Sequence, residues 1–224
     1  MKKCWYLENC PYCKDTDSYN PTCPAYMEMS YLMDTSNLPE NKQYPIILTP
    51  PPEDYDEYVR LKNIKDNIVE FVEGGNNLYI YSKNFGNGKT SWSIKLLHQY
   101  FNEIWIGNGF RTRGIFINVP TFLNDLKNNI SSKDKSFERM KNRLSDVDLL
   151  VWDDIAATKL SNYDYNNLLS YIDTRVLKGL SNIYTGNIIP EDLDQYVGNR
   201  LASRIANQST HVQLVGEDRR QVRW

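Results

Sequence analysis

The sequence predicts an α/β protein in which a central parallel sheet is covered on both faces by helices. Three observations carry that expectation. Short apolar runs alternate with helix-period segments along most of the chain, a glycine-rich turn sits between the first clear run and a helix, and 224 residues suit one full domain with a small appendage.

Taken in order, the first 33 residues contain every cysteine, and Asp34–Asp54, DTSNLPENKQYPIILTPPPED, is rich in Pro, Asn and acid without a helical period. The expected organisation is therefore a small N-terminal domain over 1–33, a linker over 34–55 and a main domain over 56–224. Tyr58, Leu61, Ile64, Ile68 and Phe71 recur at helical spacing until Gly74-Gly75, which predicts one amphipathic helix. Strands are expected at LYIYS (78–82), GIFINV (114–119), DLLVWDD (148–154), NIYTGN (182–187) and HVQLV (211–215). Helices are expected from Lys89 to about Ile104, at about 120–129 and 135–144, from Tyr163 to Leu177, and in short pieces around 191–206. Strand followed by helix, repeated, favours parallel pairing because each crossover must return to the same edge.

Composition narrows the functional classes. With 26 basic and 28 acidic side chains the formal charge is −2, so any nucleic-acid contact must be local. No stretch approaches the ~18 apolar residues needed to cross a bilayer, and the opening MKKCWYLENC lacks the apolar run of a secretory signal. The expectation is a cytoplasmic protein without a membrane partner.

The glycine-rich turn, SKNFGNGKTS (82–91), follows a strand and opens a helix. Backbone N–H groups of Gly86, Asn87 and Gly88, with the helix dipole behind them, suit phosphate oxygens. Lys89 would reach the outer phosphates of ATP and the Thr90 hydroxyl would ligate Mg2+, so the nucleotide-binding stretch is Asn84, Phe85, Gly86, Asn87, Gly88, Lys89, Thr90 and Ser91. In G-x-x-x-x-G-K-[ST] the first glycine is replaced by Lys83. Further on, LLVWDD ends a buried strand with Asp153 and Asp154, the pattern of a magnesium-site strand beside the phosphate loop. Asp153 would hold the metal through its water, and Asp154 would orient or deprotonate the attacking water. Asn187 closes the next strand, where a neutral amide would position that water without adding charge.

The cysteines, Cys4, Cys10, Cys13 and Cys23, follow C-x5-C-x2-C-x9-C. In a reducing compartment four clustered thiols suit a metal better than disulfides, and four thiolates favour Zn2+. A redox C-x-x-C, an iron–sulfur cluster and free structural thiols are the alternatives. His98 and His211 lie far from the cluster in sequence and read as packing or surface residues.

These residues resemble the DnaC/DnaI/IstB group of AAA+ ATPases. The likeness runs in order through GNGKTS, LLVWDDIAA, NLLSYIDTRV, IYTGNIIPEDL, VGNRLASRI and VQLVGEDRR, and covers about residues 60–220. It implies a P-loop NTPase fold with an AAA+ core and a minimal or absent C-terminal helical lid, preceded by a small cysteine-rich zinc-binding domain. The resemblance places Lys89 and Thr90 in Walker A, Asp153 and Asp154 in Walker B, and Asn187 at sensor 1. It places Arg204 at the arginine finger, with Arg200 as second candidate, and Arg220 at the late arginine that meets nucleotide in the same subunit. Self-association with ATP at subunit interfaces follows from the same likeness.

The function it implies is a helicase loader that contacts the replicative DNA helicase through the N-terminal domain and assists its loading on single-stranded DNA. Residues 133–143, KDKSFERMKNR, are basic and contain Phe137, which suits phosphate contacts and base stacking as well as a solvated helix. The alternatives are a transposition ATPase of the IstB kind, which binds duplex DNA and a transposase, and a nucleotide-dependent binding module without hydrolysis. Lys83 and the short Asp154, where many AAA+ enzymes have Glu, bear on affinity and on turnover respectively.

Overall fold

A computed structural model describes residues 22–43 and 46–218. The five apolar runs become five strands, β1 (Asn77–Tyr81), β2 (Gly114–Asn118), β3 (Leu149–Asp153), β4 (Ser181–Gly186) and β5 (Thr210–Gln213). Every pairing is parallel and the order is β2-β3-β4-β1-β5. Because side chains alternate along a strand, each run feeds two cores. Leu78, Ile80, Leu149, Val151, Ile183 and Val212 point to one face, while Tyr79, Ile115, Ile117, Leu150, Trp152 and Tyr184 point to the other.

The first face is covered by α1 (Pro24–Thr35), α2 (Tyr55–Asp66), α3 (Ile68–Glu73) and α4 (Lys89–Ile104), and the second by α5 (Val119–Ser132), α6 (Lys135–Arg143), α7 (Asn162–Leu177), α8 (Leu193–Val197) and α9 (Asn199–Ala206). Side-chain oxygens of Asn118, Asp134 and Ser161 accept the first free amides of α5, α6 and α7, which explains where those helices begin.

Three features differ from the sequence reading. The single helix expected over 58–71 is two, divided at Asn67, whose backbone (φ −118°, ψ 33°) leaves the helical region. Helix α1 runs through the expected boundary between 33 and 34 and belongs to the main core, because Met29, Leu32 and Met33 bury one stripe against it. Behind α1, Ser36 O accepts the Phe116 amide at 2.8 Å and Asn37 Nδ2 donates to Phe116 O at 3.0 Å, so this segment covers part of the edge strand β2. Finally, Phe137 is not on a fully solvated helix face: it packs on Phe122, ring centres 5.8 Å apart, and is half-buried against the second core.

His98, on the buried face of α4, is only 6% exposed, and burial pushes its imidazole down to about 4. The unfolded chain, with an ordinary histidine near ~6.5, therefore binds more protons between those values. Stability should be fully present above pH ~6.5 and fall by up to ~3 kcal/mol as pH drops toward 4. Urea unfolding of His98→Leu at several pH values should show a flatter loss across that window than the parent chain.

Candidate nucleotide site

Parallel pairing brings the C-terminal ends of β1, β2, β3 and β4 to one edge of the sheet, and the predicted polar residues gather there. After β1 the chain turns through residues 82–88. Ser82 is buried, and its Oγ accepts from the Asn84 amide (3.0 Å) and Asn87 Nδ2 (2.5 Å). Asn87 Nδ2 also donates to Leu214 O at 3.1 Å, and Asn84 Nδ2 to Val215 O at 2.7 Å, which ties the loop to the segment after β5.

Gly86 (φ 68°) and Gly88 (φ 104°) occupy the left-handed region, where a side chain would be strained. The amides of Phe85, Gly86, Asn87 and Gly88 have no partner among the described residues, so they form an open set of donors at the head of α4. Lys89 is 6% exposed, and its Nζ donates to Asn84 O (2.9 Å) and Asn87 Oδ1 (3.3 Å). Lys83 is exposed and has no positive φ, so this turn does not need glycine at its first position.

Asp153 is the centre of the edge. Its Oδ1 accepts from Thr90 Oγ1 (2.8 Å) and Thr185 Oγ1 (2.7 Å), and Asn118 Nδ2 lies 3.5 Å from its Oδ2. Burial raises its pKa above the usual carboxylate value; the hydroxyl of Thr185 opposes that rise, the charge of Asp154 adds to it, and Thr90 and Asn118 oppose it. A cation at this carboxylate would favour the ionised form.

Strand β4 stands between β3 and β1, yet Asp153 still lies beside the phosphate loop. Thr90 reaches Asp153 from the first turn of α4, and Thr185 reaches it from the intervening strand. Thr185 and Asn118 were not singled out in the sequence, although NIYTGN contains the first and GIFINV the second.

Asp154 adopts a left-handed backbone (φ 57°), held by its amide donating to Thr185 Oγ1 at 3.0 Å. Such a conformation is tolerated best by Asn and Asp among residues with a side chain. Asn187 follows β4 directly, and its Oδ1 is buried without a hydrogen-bond partner among the described residues. Asp54 is a further residue that the linker composition concealed. It is 1% exposed, and its two oxygens accept the amides of Val215 (2.7 Å) and Gly216 (3.0 Å), which latches the strap before α2 onto the segment that holds Asn84 and Asn87.

The two candidate finger arginines lie apart from this cluster, one turn from each other on α9. Both pair with Asp173 on α7. Arg220, Cys4, Cys10 and Cys13 fall outside the described residues, as do residues 1–21 of the expected zinc domain. Cys23 stands just before α1, half-buried against the first core. The described residues contain no group of three or more His, Cys, Asp or Glu placed to hold a metal, and no helix among them is long and apolar enough to cross a membrane. A separate groove of about 790 Å³ lies between the end of α1 and helices α5 and α6, with Asn118 at its margin.

No family model and no curated protein matches the sequence. Solved structures share the fold. The crystal structure of the DnaC helicase loader superposes with a TM-score of 0.62 at 18% identity, over 81% of this chain and 98% of that one. The crystal structure of DnaI gives 0.62 at 18%, over 79% and 94%. The replication initiator DnaA, bound to AMPPCP and single-stranded DNA, gives 0.59 at 19%, over 75% of this chain and 48% of that one, so the match spans about half of the DnaA structure. The chain therefore has the α/β fold of these replication proteins, built on a five-stranded parallel sheet.

Proposed function

We propose that this chain is an ATP-dependent helicase loader of the DnaC/DnaI kind: an AAA+ ATPase that engages a replicative DNA helicase and assists its loading on single-stranded DNA. The observation that carries the reading is the Thr90–Asp153–Thr185 cluster beside an open row of amides and Lys89, on a fold shared with two loaders.

The residues fit a nucleoside triphosphate with its metal. Unpartnered amides at the head of a 16-residue helix suit an anion, and Thr90 with the Asp153 carboxylate supplies the hard oxygen donors that Mg2+ prefers. When bound, the metal would draw charge from the outer phosphates. The chain's own part is then to orient. Lys89 would exchange its loop acceptors for phosphate oxygens, Asp153 with Thr90 would hold the metal, and Asp154 and Asn187 would orient the attacking water. Arg204, from a neighbouring copy, would neutralise charge on the departing phosphate. Arg220 would contact nucleotide within its own subunit.

The cysteine spacing supports Zn2+ at Cys4, Cys10, Cys13 and Cys23, with the metal close to the head of α1, and the segment before α1 as the helicase contact. The cytoplasm is the compartment this function requires.

The test is capture of a purified replicative helicase with and without ATP, using a truncation of residues 1–21 that keeps the core-packed α1. Retention by the full chain and its loss in the truncation are expected, with about one zinc per chain in the intact protein. Equal retention of a transposase, or none of the helicase, would favour the transposition reading instead.

A further inference from the structure

Helix α9 is capped by Gly198 (φ 77°), where an added Cβ would lie 3.0 Å from the Tyr165 ring on α7, so the two helices meet closely at this point. Leu201, Ala202, Ile205 and Ala206 are buried. Arg200 and Arg204 are left one turn apart outside that stripe, 63% and 31% exposed at their side chains. Two guanidinium groups at this spacing repel each other, and a single carboxylate sits between them. Asp173 Oδ2 takes the Arg200 Nη2 hydrogen, while Asp173 Oδ1 takes the Nε hydrogen of Arg204 at 2.8 Å.

The two arginines are bound differently. Arg200 gives Asp173 one of its terminal nitrogens. Arg204 gives only Nε, and its two terminal nitrogens, with four N–H donors, have no partner among the described residues. A guanidinium fixed by Nε has lost much of its side-chain freedom yet keeps the forked end that binds phosphate oxygens two at a time.

We propose that Asp173 is a positioning residue for the arginine finger: it holds Arg204 by Nε, separates it from Arg200, and leaves its forked end free for the terminal phosphate bound by a second copy of this chain. The inference rests on the loader reading above and adds to it the choice of Arg204 over Arg200 and the carboxylate that sets it. Asn at position 173 would retain one acceptor and turn an amide N–H toward the other guanidinium, so one arginine would be released. Glu would keep both acceptors on a longer arm.

The experiment measures ATP hydrolysis against protein concentration for the parent chain, Arg204→Ala, Arg200→Ala, Asp173→Asn and Asp173→Glu, with ATP binding at dilution for each. Arg204→Ala should lower kcat at saturating protein by ~1,000-fold. Asp173→Asn should lower it by roughly 10-fold or more while leaving dilute ATP binding and the KM for ATP within about 2-fold, because a misdirected finger acts only in the transition state. Asp173→Glu should recover part of that loss, and Arg200→Ala should lose less than Arg204→Ala. A merely structural ion pair would lower the melting temperature and the concentration needed for assembly would rise, with kcat of the assembled protein unchanged; that result overturns the role of Asp173. A larger loss in Arg200→Ala than in Arg204→Ala overturns the choice between them. Full hydrolysis in Arg204→Ala overturns the finger itself, and with it this inference.

Discussion

Lys89→Ala is expected to abolish ATP binding at micromolar nucleotide while leaving the fold intact. In the structure the ammonium is buried and held by two oxygens of its own loop, Asn84 O at 2.9 Å and Asn87 Oδ1 at 3.3 Å. Those acceptors are neutral, so a phosphate would replace them with stronger, charge-assisted partners worth ~1.5–3 kcal/mol each. Losing two such bonds weakens binding by roughly 100-fold or more. The free variant should keep its fold, because the desolvation cost of a buried cation disappears together with its bonds. Thermal unfolding separates the two effects: ATP should raise the melting temperature of the parent chain and leave that of Lys89→Ala where it was. A normal ATP-dependent rise in the variant would remove the phosphate-loop assignment.

Lys83 provides the contrast. The motif's first glycine is absent, which in sequence alone reads as a threat to the loop's entry geometry. The structure supplies the reason it is harmless: the strain-prone positions are Gly86 and Gly88, both at positive φ, whereas residue 83 is exposed with an ordinary backbone. The turn is set by Ser82 Oγ and the two asparagines that bond around it. A consensus motif records which residues recur, while φ records which of them this backbone needs.

The residues that were legible in the sequence are those whose role follows from a local pattern. Five strands and α4 could be placed because apolar period and glycine position act within a few residues. What the sequence conceals depends on contacts between distant segments. Strand order is one case, since nothing in the distance from GKTS to DD says that β4 will enter between their strands. Thr185 is another, a small polar residue in a buried strand that gains meaning only when Asp153 and Asp154 lie beside it. Asp54 sits among prolines and reads as a solvated linker acid until the chain returns 161 residues later to offer it two amides. Helix α1 did carry a signal, the spacing of Ala25, Met29, Leu32 and Met33, which the cysteine cluster before it obscured.

Arg175→Met should be the most destabilising of the substitutions considered, by ~3–5 kcal/mol. Arg175 belongs to the segment quoted for its family likeness, NLLSYIDTRV, yet no part of the sequence announces that its side chain is fully buried. Burial pushes the guanidinium down to about 10, so it remains charged at neutral pH. It meets no carboxylate among the described residues. Its bonds go to Leu144 O (2.8 Å), Val147 O (2.7 Å), Ser181 O (2.6 Å), Asp148 O (3.4 Å) and Asn182 Oδ1 (2.7 Å). One planar cation thus satisfies the turn that enters β3 and the first residues of β4, which is a different task from offsetting a charge. Methionine fills much of the volume but donates nothing, and leaves several oxygens in a low-dielectric interior with fewer donors. For a domain of this size the loss corresponds to on the order of 10 °C in melting temperature. The contacts lie at the N-terminal ends of β3 and β4, whereas Asp153 and Asn187 stand at the opposite ends. The folded fraction of Arg175→Met should therefore bind ATP within a few-fold of the parent chain. Calorimetric unfolding together with ATP titration well below the melting transition checks both halves: a small change in stability would mean that the carbonyls find other donors, and a large loss of affinity in the folded protein would mean that β3–β4 register at one end of the sheet controls the site at the other.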